Sequence, residues 1–225
     1  MHPIRRNCGL ALRVMTTQTR ALITREAIVR GAAQTFSERG FGLASIADIA
    51  TAAGTTKGAL YFHFPSKAGL ALAVIDEQHR RTMAAAADIV AQGRPGLETL
   101  VLLSRSLARQ LREDPVVQAG IRLTTDVSLS DDEPVAGPYE DWFRTTEELL
   151  RRAIAEGDVT EAVDPATVAH FLSPAFTGVQ LVSETLTDRD DLLQRVRELW
   201  IVLLPGIVAA ARWGALSDLP DLVLE

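Results

Sequence analysis

The spacing of apolar side chains predicts helices along almost the whole chain. Apolar residues recur three or four positions apart, the period of an amphipathic helix, and no segment sustains the alternation of a half-buried strand. We therefore expect an all-α fold. The longer predicted helices cover residues 24–39, 67–91, 97–113, 116–125, 139–156, 165–185 with a bend at Pro174, and 188–213 with an interruption at Pro205-Gly206. An exposed loop is expected over 126–138, and a loosely held tail from residue 215.

A glycine separates two short helical patterns that follow the first predicted helix. The first opens with Ser45 and Asp48, spaced as in a capping box, and ends at Gly54, where a helix terminus favours a left-handed residue. The second places Leu60 and Phe64 one turn apart on a single face. Two short helices about a tight turn indicate a helix-turn-helix, which lays its second helix in the DNA major groove. An ordinary helical hairpin would show the same pattern.

The other side chains of these two short helices suit contact with nucleic acid. Cations meet phosphates, small residues let the two backbones approach, and hydroxyls and helix N-termini donate to phosphate oxygens. A tyrosine can lie along the sugar-phosphate chain. The residues that we predict to contact DNA are Ser45, Thr55, Thr56, Lys57, Gly58, Ala59, Tyr61, His63 and Lys67.

Formal charge is divided unevenly along the chain. The whole chain carries −6, which by itself does not suggest a nucleic-acid partner. Residues 1–67 hold nine lysines and arginines but only three acidic residues, a balance of +6 that leaves −12 for the remainder. A cationic end on an acidic body directs DNA to the cationic end.

Specific stretches of sequence carry a resemblance. TREAIVRGAAQTFSERGF followed by SIADIATAAGTTKGALYFHFPSK resembles the DNA-binding domain of the TetR family of repressors. TKGALYFHFPSK is similar to the γ-butyrolactone receptor branch of that family in actinobacteria, and so are QAGIRLTTD, YEDWF and GVQLVSETL further along. The resemblance implies a three-helix helix-turn-helix domain over residues 19–66 and a helical ligand-binding and dimerisation domain over 67–215. A disordered arm over 1–18 and a tail over 216–225 would flank them.

The resemblance also implies a homodimer. In this family the last two long helices form a dimeric four-helix bundle, and the corresponding helices here, 167–185 and 192–213, are apolar with few charges. One short recognition helix reads too few base pairs, so a two-fold dimer on a palindromic double-stranded operator is the usual remedy. We therefore expect a dimeric repressor that a small-molecule signal releases from its operator.

Four residues are candidates for binding that signal. The receptor branch has a pocket tryptophan where this chain has Trp142, and Gln78 lies on a helix that passes under the pocket in the family; an ordinary core aromatic and a surface glutamine are the alternatives. Thr177 and Gln180 are further candidates. The branch often carries a small hydroxyl where this chain has Ala175. We therefore expect a hydrophobic signal of γ-butyrolactone, butenolide or furan type, or alternatively an antibiotic or pathway intermediate.

Catalysis is not expected. The histidines, His2, His63, His79 and His170, form no HExxH pair, and the chain has no P-loop, no Gly-x-Ser-x-Gly elbow and no GxGxxG after a strand. We expect neither an enzyme nor a bound metal or cofactor. A DNA-binding dimer without a ligand is the remaining alternative. Dissociation of the protein–DNA complex by small-molecule extracts would indicate a ligand-responsive sensor, and a complex that no extract affects would indicate the plain DNA binder.

The sequence favours a cytoplasmic location. A single cysteine, Cys8, rules out an intrachain disulfide and fits a reducing compartment. Arg13 interrupts the short apolar run near the N-terminus, so residues 1–15 do not resemble a signal peptide; they are either an arm or an extension before a true start at Met15. The most apolar run, 199–211, is shorter than the roughly 20 residues of a membrane span.

Overall fold

The computed structural model describes residues 8–125 and 137–225, and within these ranges the chain is helical with no strand. One isolated antiparallel bridge joins Val159 and Val208. The all-α prediction is confirmed. The helices are α1 Cys8–Leu43, α2 Ile46–Ala52, α3 Lys57–His63, α4 Lys67–Val90, α5 Gly96–Glu113, α6 Pro115–Thr124, α7 Gly137–Ala155, α8 Pro165–Thr187, α9 Leu192–Ile207 and α10 Trp213–Leu216, with short 3₁₀ turns at Ala210–Arg212 and Leu219–Val223.

Most predicted helices agree with the structure to within a few residues, but α9 is shorter than predicted. Asp188 and Arg189 take positive φ angles of 50° and 66°, so the chain turns there and α9 begins only at Leu192. Val208 is extended, so α9 ends at Ile207 although Pro205 lies inside it. Polar residues in a left-handed turn end a helix as glycine does, and the sequence pattern did not indicate this.

The ends of the chain also differ from the predictions. α1 begins at Cys8, so the segment expected to be a disordered arm is helical from that residue onward, and residues 1–7 lie outside the described ranges. Most of the predicted loop after residue 125 lies outside them too. The expectation of a loosely held tail is wrong, because Pro220 and Val223 are buried and the 3₁₀ turn packs against α5 and α9. Arg197 anchors this turn with an ion pair of 2.7 Å to Asp221.

The chain divides into two compact units. The head unit comprises the described residues up to Gln78 and from Gln118 to 125, and thus contains α1, α2, α3, the first half of α4 and most of α6. Its core joins one buried face from each helix. The buried residues are Ile28, Val29, Ala32, Ala33 and Phe36 of α1, Ile49 and Ala50 of α2, Leu60 of α3, Phe64, Leu70, Ala71, Val74 and Ile75 around α4, and Ala119 and Leu123 of α6.

The body unit comprises residues 79–117 and the described residues from 137 to 225. Its largest buried side chain is Trp200 of α9, whose indole N–H donates to the Ser104 hydroxyl of α5 at 2.8 Å. Leucines of α5, α7 and α9 surround the same core. Arg81 of α4 makes two hydrogen bonds of 3.1 and 2.8 Å to the Asp114 carboxylate at the end of α5. In the described part of the chain, no helix is both long and apolar enough to cross a membrane.

Two neighbouring phenylalanines test the placement of α3. Phe64 is 5% exposed, and the Arg25 guanidinium lies 5.1 Å from the centre of its ring, whereas Phe62 is 83% exposed. We expect Phe64→Ala to lower the free energy of unfolding of the head by about 3–5 kcal/mol, since the truncation leaves a cavity. Phe62→Ala, which removes the same atoms from an exposed position, should lower it by less than about 0.5 kcal/mol. Urea denaturation followed by circular dichroism measures both, and equal losses would mean that this packing is incorrect.

Candidate nucleic-acid interface and signal-binding residues

Ser45 fixes the start of α2 as a complete capping box. Its hydroxyl accepts a hydrogen bond from the Asp48 backbone N–H at 3.2 Å and donates to the Asp48 carboxylate at 2.6 Å. The Ser45 backbone N–H donates to the same carboxylate at 3.3 Å. The Ser45 hydroxyl and the nearby Arg39 guanidinium hold the pKa of Asp48 below its usual range. The predicted cap is confirmed, and it sets the direction in which α2 enters the head.

The turn between α2 and α3 depends on a glycine and a threonine. Gly54 has a φ of 62°, in the left-handed region, which lets the chain reverse after α2. The Thr55 backbone N–H donates to the Ala50 carbonyl at 2.9 Å. Thr56 is the N-cap of α3, and its hydroxyl accepts from the Ala59 N–H at 3.2 Å. Both threonines predicted to contact DNA therefore also shape the turn that orients α3.

The two faces of α3 have opposite character. Leu60 is fully buried in the head core, while Lys57, Gly58 and Tyr61 are exposed together. His63 and Ala59 are half-buried at the edge. A short helix with one buried leucine and an open face that combines a cation, a glycine and a phenol can approach a polyanion closely.

Phe62 lies on the exposed part of α3 and was not among the predicted contact residues. Its ring meets the His63 imidazole edge to face, with centroids 5.2 Å apart. The sequence indicated its exposure only through its position, which lies off the apolar stripe that Leu60 and Phe64 form. An exposed aromatic ring beside the open face adds apolar surface that a DNA sugar or base could cover.

Lys67 binds within the head. Its ammonium donates to the carbonyl oxygens of Phe41 at 2.8 Å and Ala44 at 3.2 Å, and it lies 4.4 Å from the centre of the Phe41 ring. The first turn of α4 is thereby attached to the last turn of α1 and to Ala44, which lies between α1 and α2. That Lys67 also contacts phosphate stays a prediction, and the structure gives its charge a structural role as well.

Gln78 is 2% exposed, so it is not a surface glutamine. It packs within the head unit against Gly120 of α6, where a Cβ would lie 2.3 Å from the Gln78 Cβ. From the same helix, Arg122 donates to the Ser37 carbonyl near the end of α1 at 2.9 Å. Sequence reasoning missed Gly120 and Arg122, because only the folded chain brings α6 against α4 and α1.

In the body unit, Trp142 is half-buried on α7 beside a polar cluster. The Nε2 atom of His79 lies 2.8 Å from one oxygen of Asp141, and Arg144 donates to the other at 2.5 Å. The His79 hydrogen bond, with a smaller contribution from Arg144, keeps the pKa of Asp141 low. The Trp142 indole N–H makes no hydrogen bond to any residue that the structure describes.

The two candidates on α8 differ in environment. Thr177 is half-buried and donates to the Ser173 carbonyl one turn earlier at 3.0 Å, so its hydroxyl proton is already used. Gln180 is 3% exposed and lies on the buried stripe of the helix between Phe176 and Ser183. Its side-chain oxygen has no partner among the described residues. An unmet buried acceptor costs about 1–3 kcal/mol, which a ligand donor would recover.

Comparisons with known proteins decide the family. Residues 28–74 match the family described as "Bacterial regulatory proteins, tetR family", and residues 94–209 match "Tetracyclin repressor-like, C-terminal domain". The chain belongs to the TetR family. It is 37% identical to the A-factor receptor protein of Streptomyces griseus over 86% of this chain and 67% of that protein.

Solved TetR-family structures share the fold. A crystal structure of a gamma-butyrolactone receptor (ArpA-like protein) has a TM-score of 0.77 and 32% identity, over 91% of this chain and 98% of the other. CprB from Streptomyces coelicolor in complex with its operator has a TM-score of 0.74 and 32% identity, with the same coverage. TetR-family members are transcriptional regulators and not enzymes. No group of three or more histidine, cysteine or acidic residues placed to hold a metal occurs in the described ranges.

In this TetR-family chain, the predicted DNA residues lie at the start of α2, in the turn before α3, on α3 and, for Lys67, at the start of α4. The predicted signal residues divide between the units: Gln78 lies in the head unit, and Trp142, Thr177 and Gln180 lie in the body unit. All of these assignments stay predictions.

The contact between Gln78 and Gly120 gives a test of the head that does not depend on DNA. A methyl group at residue 120 has no space against the Gln78 side chain, so Gly120→Ala should lower the free energy of unfolding by about 1–3 kcal/mol despite the better helix propensity of alanine. Gly42→Ala is the matched control, since nothing lies within 4 Å of a Cβ there. Thermal unfolding compares the two variants, and a Gly120→Ala protein as stable as Gly42→Ala would argue against this packing of α6.

Proposed function

We propose that this chain is a homodimeric transcriptional repressor that binds a palindromic operator through α2 and α3 and is released by a small hydrophobic signal. The signal is of γ-butyrolactone, butenolide or furan type. The observation that carries the proposal is α3, whose buried Leu60 orients an open face of Lys57, Gly58 and Tyr61 on a cationic head. The protein acts in the cytoplasm, where its operator DNA is.

DNA binding follows from the geometry of the head. The N-terminal turn of α3 exposes Lys57 and Gly58, a cation beside a small residue, which suits close approach to a phosphate or a base edge. Ser45 and Thr56 flank the same surface at the starts of α2 and α3. The operator complex of CprB, with a similar fold, supports the same use of the helix pair here.

A second copy of the chain covers the outer face of α8 and α9. That face exposes large apolar side chains along α8, and it continues onto α9: Phe171, Leu181, Val182, Leu186, Ile201 and Val202. An exposed apolar patch of this kind marks an interface. An isologous dimer through these helices places two heads on one palindrome.

The signal binds in the body unit beside Trp142 and Gln180. The tryptophan ring gives an apolar wall with an N–H that no described residue accepts, and the Gln180 oxygen gives a buried acceptor for a hydroxyl of the signal. The likeness to the A-factor receptor and to gamma-butyrolactone receptors supports the ligand class. Signal binding shifts the population toward conformations in which the two heads no longer match successive major grooves.

One observation favours a second ligand class. Residue 175 on α8 is an alanine, half-buried, and supplies no hydroxyl to a lactone. A receptor that depends on Gln180 and Trp142 for polar contacts would accept an antibiotic or a pathway intermediate in place of a γ-butyrolactone signal. The alternative function is therefore a repressor of the same design that senses such a product.

The outward face of α3 predicts a specific loss of DNA binding. An operator is first selected from random duplexes with the wild-type protein. Lys57→Ala and Tyr61→Ala should then weaken its binding strongly and leave helicity and dimerisation unchanged, since neither side chain is buried. Lys57→Ala should also flatten the dependence of log K on log salt concentration by about 0.9 for each phosphate that the variant no longer neutralises, one in each head.

The control for this experiment is Arg151→Ala, which removes an exposed cation from α7 in the body unit. It should leave both the affinity and the salt slope as in the wild type. Normal operator binding by Lys57→Ala and Tyr61→Ala with reduced stability would mean that the faces of α3 are reversed.

The signal site predicts variants that bind DNA but do not release it. Operator release is titrated with a synthetic acyl-γ-butyrolactone. Trp142→Ala should dimerise and bind operator yet need far more ligand for release, while Gln180→Leu should need roughly 2- to 13-fold more, the equivalent of one hydrogen bond of about 0.5–1.5 kcal/mol. Trp213→Ala, at a partly exposed tryptophan outside the site, is the control. Unchanged release by Trp142→Ala would place the signal elsewhere.

A further inference from the structure

The body unit has a half-open groove along α5, a helix that carries none of the residues assigned above to DNA, the dimer or the signal. Its volume is about 430 Å³, and it lies between the second half of α4, one face of α5 and the 3₁₀ turn Leu219–Val223. None of the residues proposed above for DNA, dimer or signal contact lines it. The volume falls within the range of roughly 300–1,000 Å³ found for small-molecule sites.

Three guanidinium groups line this groove, and one of them has no partner among the residues that the structure describes. Arg94 pairs with Glu98 at 2.5 Å, and Arg105 donates to the Leu222 carbonyl at 2.8 Å, which attaches the 3₁₀ turn to α5. Arg109, one turn after Arg105, has neither a hydrogen bond nor an ion pair with any residue in the described ranges. Burial, together with the charges of Arg109 and Arg94, lowers the pKa of Arg105.

Two carboxylates also line the groove, and neither one pairs directly with Arg105 or Arg109. Glu225 partly offsets the crowding of positive charge at Arg105, and Glu113 lies one turn after Arg109 on α5. Neither forms an ion pair with Arg105 or Arg109 within 4 Å. No described residue uses the donors of the Arg109 guanidinium, which are arranged in the planar fork that matches a carboxylate.

The rest of the lining is apolar. Ile89 of α4, Leu102 of α5 and Leu222 of the 3₁₀ turn all contribute to the groove surface. A bare inorganic anion would leave this surface in water, whereas a molecule with a hydrocarbon part would cover it.

We propose that this groove is a second small-molecule site, which binds an organic acid with a hydrocarbon tail. The carboxylate pairs with Arg109 and with the donors that Arg105 has left, and the tail lies over Ile89, Leu102 and Leu222. Binding here needs neither the operator nor the signal site.

Calorimetric titration of the DNA-free full-length protein with decanoate tests the proposal. We expect saturable binding of one decanoate per chain, and affinity about tenfold or more weaker for the neutral decanamide, which cannot form the charged pair. Hexanoate should bind more weakly than decanoate, by up to about fourfold for each buried CH₂ removed. Arg109→Gln should reduce decanoate affinity by about tenfold or more, and Arg109→Lys should reduce it less because the charge remains.

Two controls separate this site from general charge and from the signal site. Arg112→Gln changes an exposed arginine of α5 that does not line the groove, and Trp142→Ala changes the proposed signal site; both should bind decanoate as the wild type does. Absence of saturable binding, equal affinity for decanamide, or wild-type affinity in Arg109→Gln would overturn the proposal. Loss of binding in Trp142→Ala would assign decanoate to the signal site and overturn it too, whereas failure of lactone-induced release would leave the groove untouched.

Discussion

The stability of the head depends on the burial of Leu60 and Phe64, because a helix of two turns is not stable in isolation. α2 and α3 have seven residues each, well below the length of about 12–15 at which an isolated helix becomes marginally stable in water. Burial of their apolar faces in the head core must therefore supply most of their stability. Caps at Ser45 and Thr56 then set their ends. The outward face is free to vary for recognition only because the inward face is fixed.

α8 faces two different environments, and its composition reflects both. Phe176 and Gln180 lie on the stripe that packs into the body unit, while Phe171 and Val182 on the other side are exposed in the isolated chain. A helix that is apolar all round is buried all round in its working state. In the proposed function, the second copy and the signal impose separate requirements on this one helix, so a change on either face tests a different part of the proposal.

Local signals made the head predictable from sequence, and tertiary contacts made the body less so. A cap, a glycine and the stripe of Leu60 and Phe64 each act over a few residues, so their pattern determines the helix pair directly. The turn before α9 could not be found in this way. There Arg189 takes a left-handed conformation and forms an ion pair of 2.7 Å with Glu184, and only the packing of the folded body unit buries that arginine.

Lys67 and Arg109 show why charge alone does not identify a site. Lys67 looked like a phosphate ligand because it lies in a cationic segment, yet it binds carbonyl oxygens of the head. Arg109 lies in the part of the chain with the acidic balance, yet it has no ion pair within the described ranges. Screening at physiological salt limits exposed charges to interactions over about 8 Å, so the groups within that distance decide what a side chain does. The uneven distribution of charge favours the approach of DNA to the head, and local geometry decides which cations remain available to bind.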